Sequence, residues 1–199
     1  MTSGNASSKP LQHFHKFLQD HGVISASTWE TLQTILREVP VRKSEVTVAE
    51  GSICRHIDFI AVGSFRSFVL KEGAEVTTGL FLEGQLITSM KSIANYSPSP
   101  VALQALEHSA VVRFTKEGMI GLYGIAPEMQ QLGRLILERL VIEENEWKEM
   151  FTLYNPEERY RFLLKKSPGL IQRVPLSYIA SFLGMRRETL SRIRRRLKG

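Results

Sequence analysis

Residues 176–195 constrain the fold of this chain more than any other segment, because small, apolar and glycine residues recur there at fixed offsets. The apolar and small positions match the inward faces of two short consecutive helices: Ile179, Ala180, Leu183, Leu190 and Ile193. Gly184 follows the first helix, where a sharp turn needs a positive φ that a Cβ would resist. The small side chain of Ala180 lets the second helix cross closely. The pattern therefore predicts a helix-turn-helix.

The second predicted helix directs polar residues outward. Arg187, Glu188 and Arg192 lie towards its N-terminal half, where a recognition helix contacts base edges in the major groove. Arginine can bind guanine and glutamate can accept from cytosine, although a first-turn acid also suits the helix dipole. Other side chains are predicted to contact phosphate: Arg186, Thr189, Ser191, Arg194, Arg195, Arg196 and Lys198. Arg186 occupies the N-cap position without a side-chain acceptor, which leaves the first amides of the helix free for a phosphate.

The positive charge of the chain is concentrated at its C-terminus. The sequence has 26 basic and 20 acidic side chains, a net charge of +6, and residues 186–199 hold seven of the basic side chains and one acid. The rest of the chain is therefore neutral. A local excess of this kind is the electrostatic footprint of a polyanion, although a solvated basic tail has the same charge. Together with the helix-turn-helix pattern, it favours double-stranded DNA as the partner.

Upstream of this segment, the hydrophobic pattern changes twice. Helical spacing at residues 11–22 gives way, between residues 41 and 114, to short β-rich runs with Gly and polar breaks, which indicates an antiparallel barrel or jelly roll. Helix returns at Pro127, followed by a near-heptad stripe of Met129, Leu132, Ile136, Leu140 and Trp147. A helix packed on its own barrel would explain the stripe, but such a long helix favours a dimer seam.

These patterns divide the chain into a disordered tail (1–10), an effector-type domain (11–126), a dimerisation helix (127–152) and a helix-turn-helix domain (153–199). The tail has no apolar stretch of the signal-peptide kind, and no run approaches the ~20 residues of a membrane span. We therefore expect a cytoplasmic protein without a membrane partner. Cys54 is the single cysteine, which excludes an internal disulfide or a cysteine-ligated metal cluster within one chain.

The sequence resembles the Crp/Fnr (catabolite activator/fumarate-nitrate regulator) family of bacterial transcription regulators. The likeness is strongest at residues 179–197, and it continues more loosely upstream through Gly63, Arg66, Gly73, Glu75, Phe81, Glu83 and Gly84. It implies an α+β fold with an antiparallel, jelly-roll-like β-roll of the cyclic-nucleotide-binding type, a long dimerisation helix and a C-terminal helix-turn-helix domain. It also implies a homodimer on a near-palindromic operator, with Arg187, Glu188 and Arg192 contacting bases.

Two departures from the family pattern bear on function. Nucleotide binders of this family have Gly-Glu and then an Arg-Ser or Arg-Thr pair, whose Arg neutralises the cyclic phosphate. Here Gln85 follows Gly84, and the degenerate effector pocket is predicted to contain Gly84, Gln85, Lys91 and Ser99. We therefore expect no cofactor, no binding of cAMP in the usual way, and a small-molecule effector of unknown kind. The winged hairpin of many relatives is expected to be absent or shortened.

The sequence leaves two other functions open. A cupin-like barrel that binds a small molecule or acts as a metal-dependent enzyme would need clustered histidine and carboxylate ligands. Three of the five histidines, His13, His15 and His21, lie instead near the N-terminus, and no catalytic grouping stands out, so we expect neither an enzyme nor a metal site. The helix-turn-helix could also bind mainly a protein, such as RNA polymerase.

Overall fold

The computed structural model describes residues 8–197, so residues 1–7 of the predicted tail and Lys198 lie outside the described residues. Helix α1 (Lys9–His21) begins earlier than the sequence pattern suggested. Ser8 caps it by accepting from Leu11 N–H, and Pro10 lies in the first turn. Residues 9 and 10 are therefore helical, which corrects the predicted extent of the tail. Helix α2 (Ala26–Gln33) follows.

Within the described residues, eight strands form two four-stranded antiparallel sheets. The strands are β1 (Arg37–Val41), β2 (Val46–Val48), β3 (Ile57–Val62), β4 (Phe65–Lys71), β5 (Ala74–Phe81), β6 (Leu86–Ile87), β7 (Ala102–Ala105) and β8 (Ser109–Phe114). Their order is β1-β8-β3-β6 in one sheet and β2-β7-β4-β5 in the other. Helix α3 (Met90–Asn95) lies between β6 and β7, and α4 (Lys116–Tyr123) follows β8. This β-roll confirms the fold class expected from the sequence.

The sheet that contains β3 and β8 is buried on both faces. Ile60 and Val111 belong to a cluster with residues of the other sheet, such as Phe65. Their neighbours Phe59 and Val112 point the opposite way, because successive side chains of a strand alternate. On that outer face they pack against α1, α2 and the start of the next long helix.

Between Pro127 and Leu197 the regular secondary structure consists of helices joined by short turns. Helix α5 (Pro127–Leu153) is followed by α6 (Pro156–Lys166), α7 (Pro168–Arg173), α8 (Leu176–Phe182) and α9 (Arg187–Arg196). Asn155 starts α6 with a capping box. Its side chain accepts from backbone N–H groups of the first turn, and the Glu158 carboxylate accepts from Asn155 N–H. No helix among residues 8–197 combines the length and apolar character needed to cross a bilayer.

Part of the apolar stripe of α5 packs inside its own chain, which takes Met129 and Leu132 out of the predicted dimer seam. Met129 and Leu132 are 1% and 2% exposed in the cluster on the outer face of the β3–β8 sheet, and Ile136 packs on the same cluster. Trp147 packs instead with the C-terminal helices, where its ring contacts Phe162 and Phe182. Leu140 lines the cleft described below. A near-heptad repeat reveals an apolar face, but it does not show whether a second copy or the same chain covers that face.

Candidate functional site

The turn between α8 and α9 has the backbone that the sequence pattern requires. Gly184 has φ +68°, and its N–H donates to Ser181 O at 3.1 Å. Arg159 of α6 closes the turn from the side, because its Nη1 donates to Leu183 O at 3.2 Å. No local sequence signal marks Arg159 for this role, since its partner lies 24 residues further along the chain.

The inward residues of α8 and α9 form part of one hydrophobic core. Their exposed fractions are between 0% and 6%: Ile179, Ala180, Leu183, Leu190 and Ile193. Residues of α5, α6 and α7, including Met150, Leu163 and Leu170, belong to the same cluster, and so does Leu80 of β5. Because this core is closely packed, it fixes the orientation of α9 relative to the other C-terminal helices.

The outward face of α9 is open to solvent. The three residues predicted to contact bases, Arg187, Glu188 and Arg192, are all exposed. Of those predicted to contact phosphate, Arg186 and Arg195 are exposed, whereas Thr189, Ser191 and Arg194 are half-buried. Arg196 is exposed and forms an ion pair with Glu157 at the start of α6, so its guanidinium already has an intramolecular partner. Arg186 is the N-cap residue of α9, and no side chain caps the helix there.

A large cleft lies between the β-roll and α5. Its volume is about 1180 Å³, and its walls come from α1, from β5 through β6, and from one side of α5. Aromatic side chains contribute much of the wall: Phe17, Phe59, Phe81, Trp147 and Phe151. The charged lining residues include Lys16, Asp20, Arg139 and Glu143. The cleft is therefore wide enough for a small molecule with an extensive apolar surface.

Of the four residues predicted for the effector pocket, two line the cleft and two do not. Gly84, with φ +82°, and Gln85 line the cleft, and Gln85 Oε1 accepts from Leu82 N–H at 2.8 Å. Lys91 is exposed on α3 and does not line the cleft. Ser99 is buried elsewhere, with its Oγ 2.8 Å from Ser89 Oγ and 2.6 Å from Val101 O. The loop between α3 and β7 therefore uses Ser99 for its own packing.

Glu83 stands at the edge of the cleft and joins three parts of the chain. Its carboxylate accepts from Gly63 N–H at 2.7 Å and binds Arg173, the last residue of α7, with both N–O distances at 2.7 Å. Burial alone would raise the pKa of Glu83, but the hydrogen bonds from Arg173 and Gly63 outweigh burial and lower it. Glu83 is therefore held in its charged form. The sequence marked Glu83 only through the family resemblance, and it gave no signal for Arg173.

The described residues contain no cluster of side chains suited to bind a metal ion. Across residues 8–197, no three His, Cys, Asp or Glu side chains come together as metal ligands. The N-terminal histidines have other contacts: His13 bonds to Ala61 O, His15 stacks on Trp29, and His21 bonds to Phe17 O.

Comparisons with known proteins give different results for the sequence and for the fold. No protein-family model and no curated protein matches the sequence. Among solved structures, FixK2 from Bradyrhizobium japonicum is 20% identical, with 82% of this chain and 85% of FixK2 covered and a TM-score of 0.68. The c-di-GMP-responsive regulator CLP from Xanthomonas campestris is 16% identical, with 87% and 92% covered and a TM-score of 0.66.

The β-roll also resembles a solved cyclic nucleotide-binding domain. A cyclic nucleotide-binding domain from Methylobacillus flagellatus is 12% identical, covers 72% of this chain and 82% of its own, and has a TM-score of 0.62. The regulators span both the β-roll and the C-terminal helices. This chain therefore has the Crp/Fnr-type fold, a cyclic-nucleotide-binding-like β-roll followed by a C-terminal helical domain.

Proposed function

We propose that this protein is a sequence-specific, DNA-binding transcription regulator of the Crp/Fnr type. The observation that carries the proposal is the outward face of α9, where Arg187 and Arg192 project into solvent from a helix whose other face is fully packed. A helix held in this way can enter the major groove without rearrangement of its core. Arg187, Glu188 and Arg192 would contact bases.

The phosphate contacts surround this base-reading set. Arg186, Thr189, Ser191, Arg194 and Arg195 border it on α9, and Lys198, outside the described residues, continues the basic run. Arg196 would join them only by leaving Glu157. Because α9 has no side-chain N-cap, its first amides offer a phosphate both hydrogen bonds and the positive end of the helix dipole.

The test of this function is the salt dependence of DNA binding. Fragments retained by the protein from a genomic library would be titrated at several salt concentrations. We expect the logarithm of affinity to fall linearly with the logarithm of salt concentration, with a slope of about −0.9 per phosphate contact. The double variant Arg194→Ala/Arg195→Ala should give a shallower slope. Arg42→Ala/Lys43→Ala, an exposed basic pair next to β1, is the matched control and should leave the slope unchanged. Failure to retain any fragment, or an affinity insensitive to salt, would refute the proposed function.

We further propose that two copies associate through an exposed face of α5. Leu137 and Val141 are 53% and 60% exposed, and Glu144 and Lys148 continue the same face at spacings of three and four residues. These residues also line the α5 side of the cleft, so a second copy that buries the two apolar side chains would cover that side of it. The dimer would present two recognition helices to one side of the DNA. Half-sites of such a dimer lie about one helical turn apart, ~34 Å.

The proposed dimer face can be tested by one pair of variants. Val141→Glu places a carboxylate in the apolar part of the face, beside Glu144, and should raise the dimer dissociation constant at least about tenfold, since an unpaired buried charge is costly. Ile142→Glu is the matched control, because Ile142 is equally exposed, at 59%, but points to another side of α5. Sedimentation equilibrium measures both. Equal effects of the two variants, or none, would exclude this face as the seam.

We also propose that the cleft binds a small-molecule effector. We do not expect this effector to be cAMP bound in the way that is usual for the family. The part of its wall that the β-roll contributes, from Phe59 to Met90, includes Glu83 but no basic side chain among the described lining residues. A phosphate against this wall would meet a carboxylate and no compensating cation. The aromatic lining favours a ligand with a large apolar surface.

A further inference from the structure

The C-terminal helices pack on apolar side chains of the β-roll, Leu80, Leu82 and Leu106, and also meet it through two polar contacts. The first polar contact is centred on a buried arginine. Arg66 of β4 is 1% exposed, forms an ion pair with Glu75, and donates from Nε to Gln104 Oε1 at 2.8 Å. Its guanidinium lies 3.9 Å from the centre of the Tyr178 ring on α8, a cation–π distance. Beside it, Thr77 N–H donates to Ser181 Oγ at 3.0 Å. Helix α8 therefore covers a charge that belongs to the β-roll.

The second contact is the Arg173 ion pair. Arg173 binds Glu83 through both terminal nitrogens and also binds Glu107 Oε1 at 2.5 Å. The β-roll holds both carboxylates in place, since Gly63 N–H donates to Glu83 and Ser64 Oγ donates to Glu107 at 2.5 Å. Because these acceptors are already oriented, binding Arg173 requires little further ordering of them.

Glu83 belongs both to this contact and to the cleft. The segment that follows β5, Glu83 to Gln85, lines the cleft, and Gly84 within it has φ +82°. A change in the backbone of this segment therefore moves the carboxylate that binds Arg173. Arg173 is the last residue of α7, and only residues 174 and 175 separate it from α8, the first helix of the helix-turn-helix.

We propose that the Arg173 contact, supported by the Arg66–Tyr178 contact, is an interdomain latch that holds α9 in its DNA-binding orientation and couples the cleft segment to DNA affinity. This inference rests on the proposed function, because it assigns a regulatory role to the same α9 surface. The latched arrangement is the binding form, since the outward face of α9 is open while both contacts are made. Releasing the latch adds orientational freedom that DNA binding must then remove.

The latch itself can be tested without DNA, because the two tryptophans report on different parts of the chain. Trp29 packs on the β-roll cluster, and Trp147 packs among the C-terminal helices. Two single-tryptophan proteins, Trp29→Phe and Trp147→Phe, would be unfolded in urea and followed by fluorescence. We expect the two midpoints to coincide in this parent pair and to separate when Arg173→Ala and Tyr178→Ala are added. In the separated case, the Trp147 signal should change at lower urea.

The matched control for this experiment is Arg161→Ala, which removes an exposed arginine that forms an ion pair with Glu157 of its own helix. It should leave the two midpoints together. Midpoints that already differ in the parent pair, or that remain together in the latch variant, would overturn the latch.

The coupling to DNA can be tested by a double-mutant cycle. Gly84→Val strains the backbone of the cleft segment, because φ +82° is unfavourable for a β-branched residue, while a Cβ at Gly84 meets no atom within 4 Å. We expect Gly84→Val and Arg173→Ala each to weaken binding to a retained DNA fragment about fivefold or more, the lower range of typical allosteric coupling. If the strain acts through Arg173, Gly84→Val should have no further effect when Arg173 is already alanine.

Gly73→Val is the matched control for this cycle. Gly73 has φ +79°, its Cβ would also meet nothing within 4 Å, and it lies at the β4–β5 turn away from the cleft. It should leave DNA affinity unchanged. Additive effects of Gly84→Val and Arg173→Ala, or an effect of Gly73→Val as large as that of Gly84→Val, would overturn the coupling. A parent protein that binds no DNA would refute the proposed function instead, while the urea experiment would still decide the latch.

Discussion

Replacing Arg187 with alanine should weaken binding to the operator by about 1–3 kcal/mol and relax the base preference at one position of each half-site. The reason is geometric, because Arg187 is the first residue of α9 and its side chain is exposed beyond the packed core. An arginine there can form a bidentate contact with a guanine, and alanine leaves that base without its partner. The measurement is a competition titration against a set of operators in which each base pair is varied in turn.

Arg195→Ala is the comparison within the same helix. Arg195 is also exposed but lies near the end of α9, where we assign it to phosphate. Its loss should weaken binding to every operator by a similar factor. If Arg187→Ala also weakened all sequences equally, Arg187 would be a phosphate contact. If it had no effect, Arg187 would leave the DNA-contacting set.

Leu190→Ala should lower the free energy of unfolding by about 2–5 kcal/mol, the usual cost of a large cavity in a closely packed core. Leu190 is 0% exposed and packs where α9 crosses α8. Urea denaturation followed by the fluorescence of Trp147, which belongs to the same cluster, measures the loss.

The matched control is Leu70→Ala, because Leu70 is 62% exposed on β4 and its loss leaves no cavity. It should change the free energy of unfolding by less than about 0.5 kcal/mol, as most surface substitutions do. A small effect of Leu190→Ala would mean that α9 is held by contacts other than its inward face, and the fixed orientation of the recognition helix would lose its basis.

The sequence predicted the elements whose information is local. The helix-turn-helix depends on residues a few positions apart, and the positive φ of Gly184 follows from a turn that only glycine accommodates easily. The β-roll could be predicted from strand-length runs between turn residues, including Glu72 and Gly73, which both have positive φ at the β4–β5 hairpin. In each case, the structure is encoded within a short stretch of chain.

The contacts that the sequence did not predict join distant residues. Arg196 was assigned to phosphate because it lies in a basic run, yet its partner Glu157 belongs to another helix. Arg173 meets Glu83 across 90 residues and Glu107 across 66, and many other acids could have been its partner. Charge alone does not identify such pairs, because ion pairs between distant residues have no characteristic spacing in the sequence.

The effector pocket shows the same limit in another form. Gly84 and Ser99 follow each other in the order that the family resemblance led us to expect, but helix α3 and the loop after it intervene. Ser99 turns inward to Ser89 there, so sequence order did not place it in the lining of the cleft. Loop conformation depends on such side-chain to backbone bonds, which a residue-type pattern does not specify.

The missing N-cap of α9 has a thermodynamic consequence for the proposed function. With Arg186 in the capping position and no side-chain acceptor, the first turn of the helix lacks the stabilisation that a cap normally provides, about 1 kcal/mol. A phosphate that accepts hydrogen bonds from those amides would supply this stabilisation. Ordering of the first turn and binding of the nucleic acid would then be thermodynamically coupled. Hydrogen exchange at the amides of Glu188 and Thr189 would then slow on binding, and part of the affinity would be measured as added local stability.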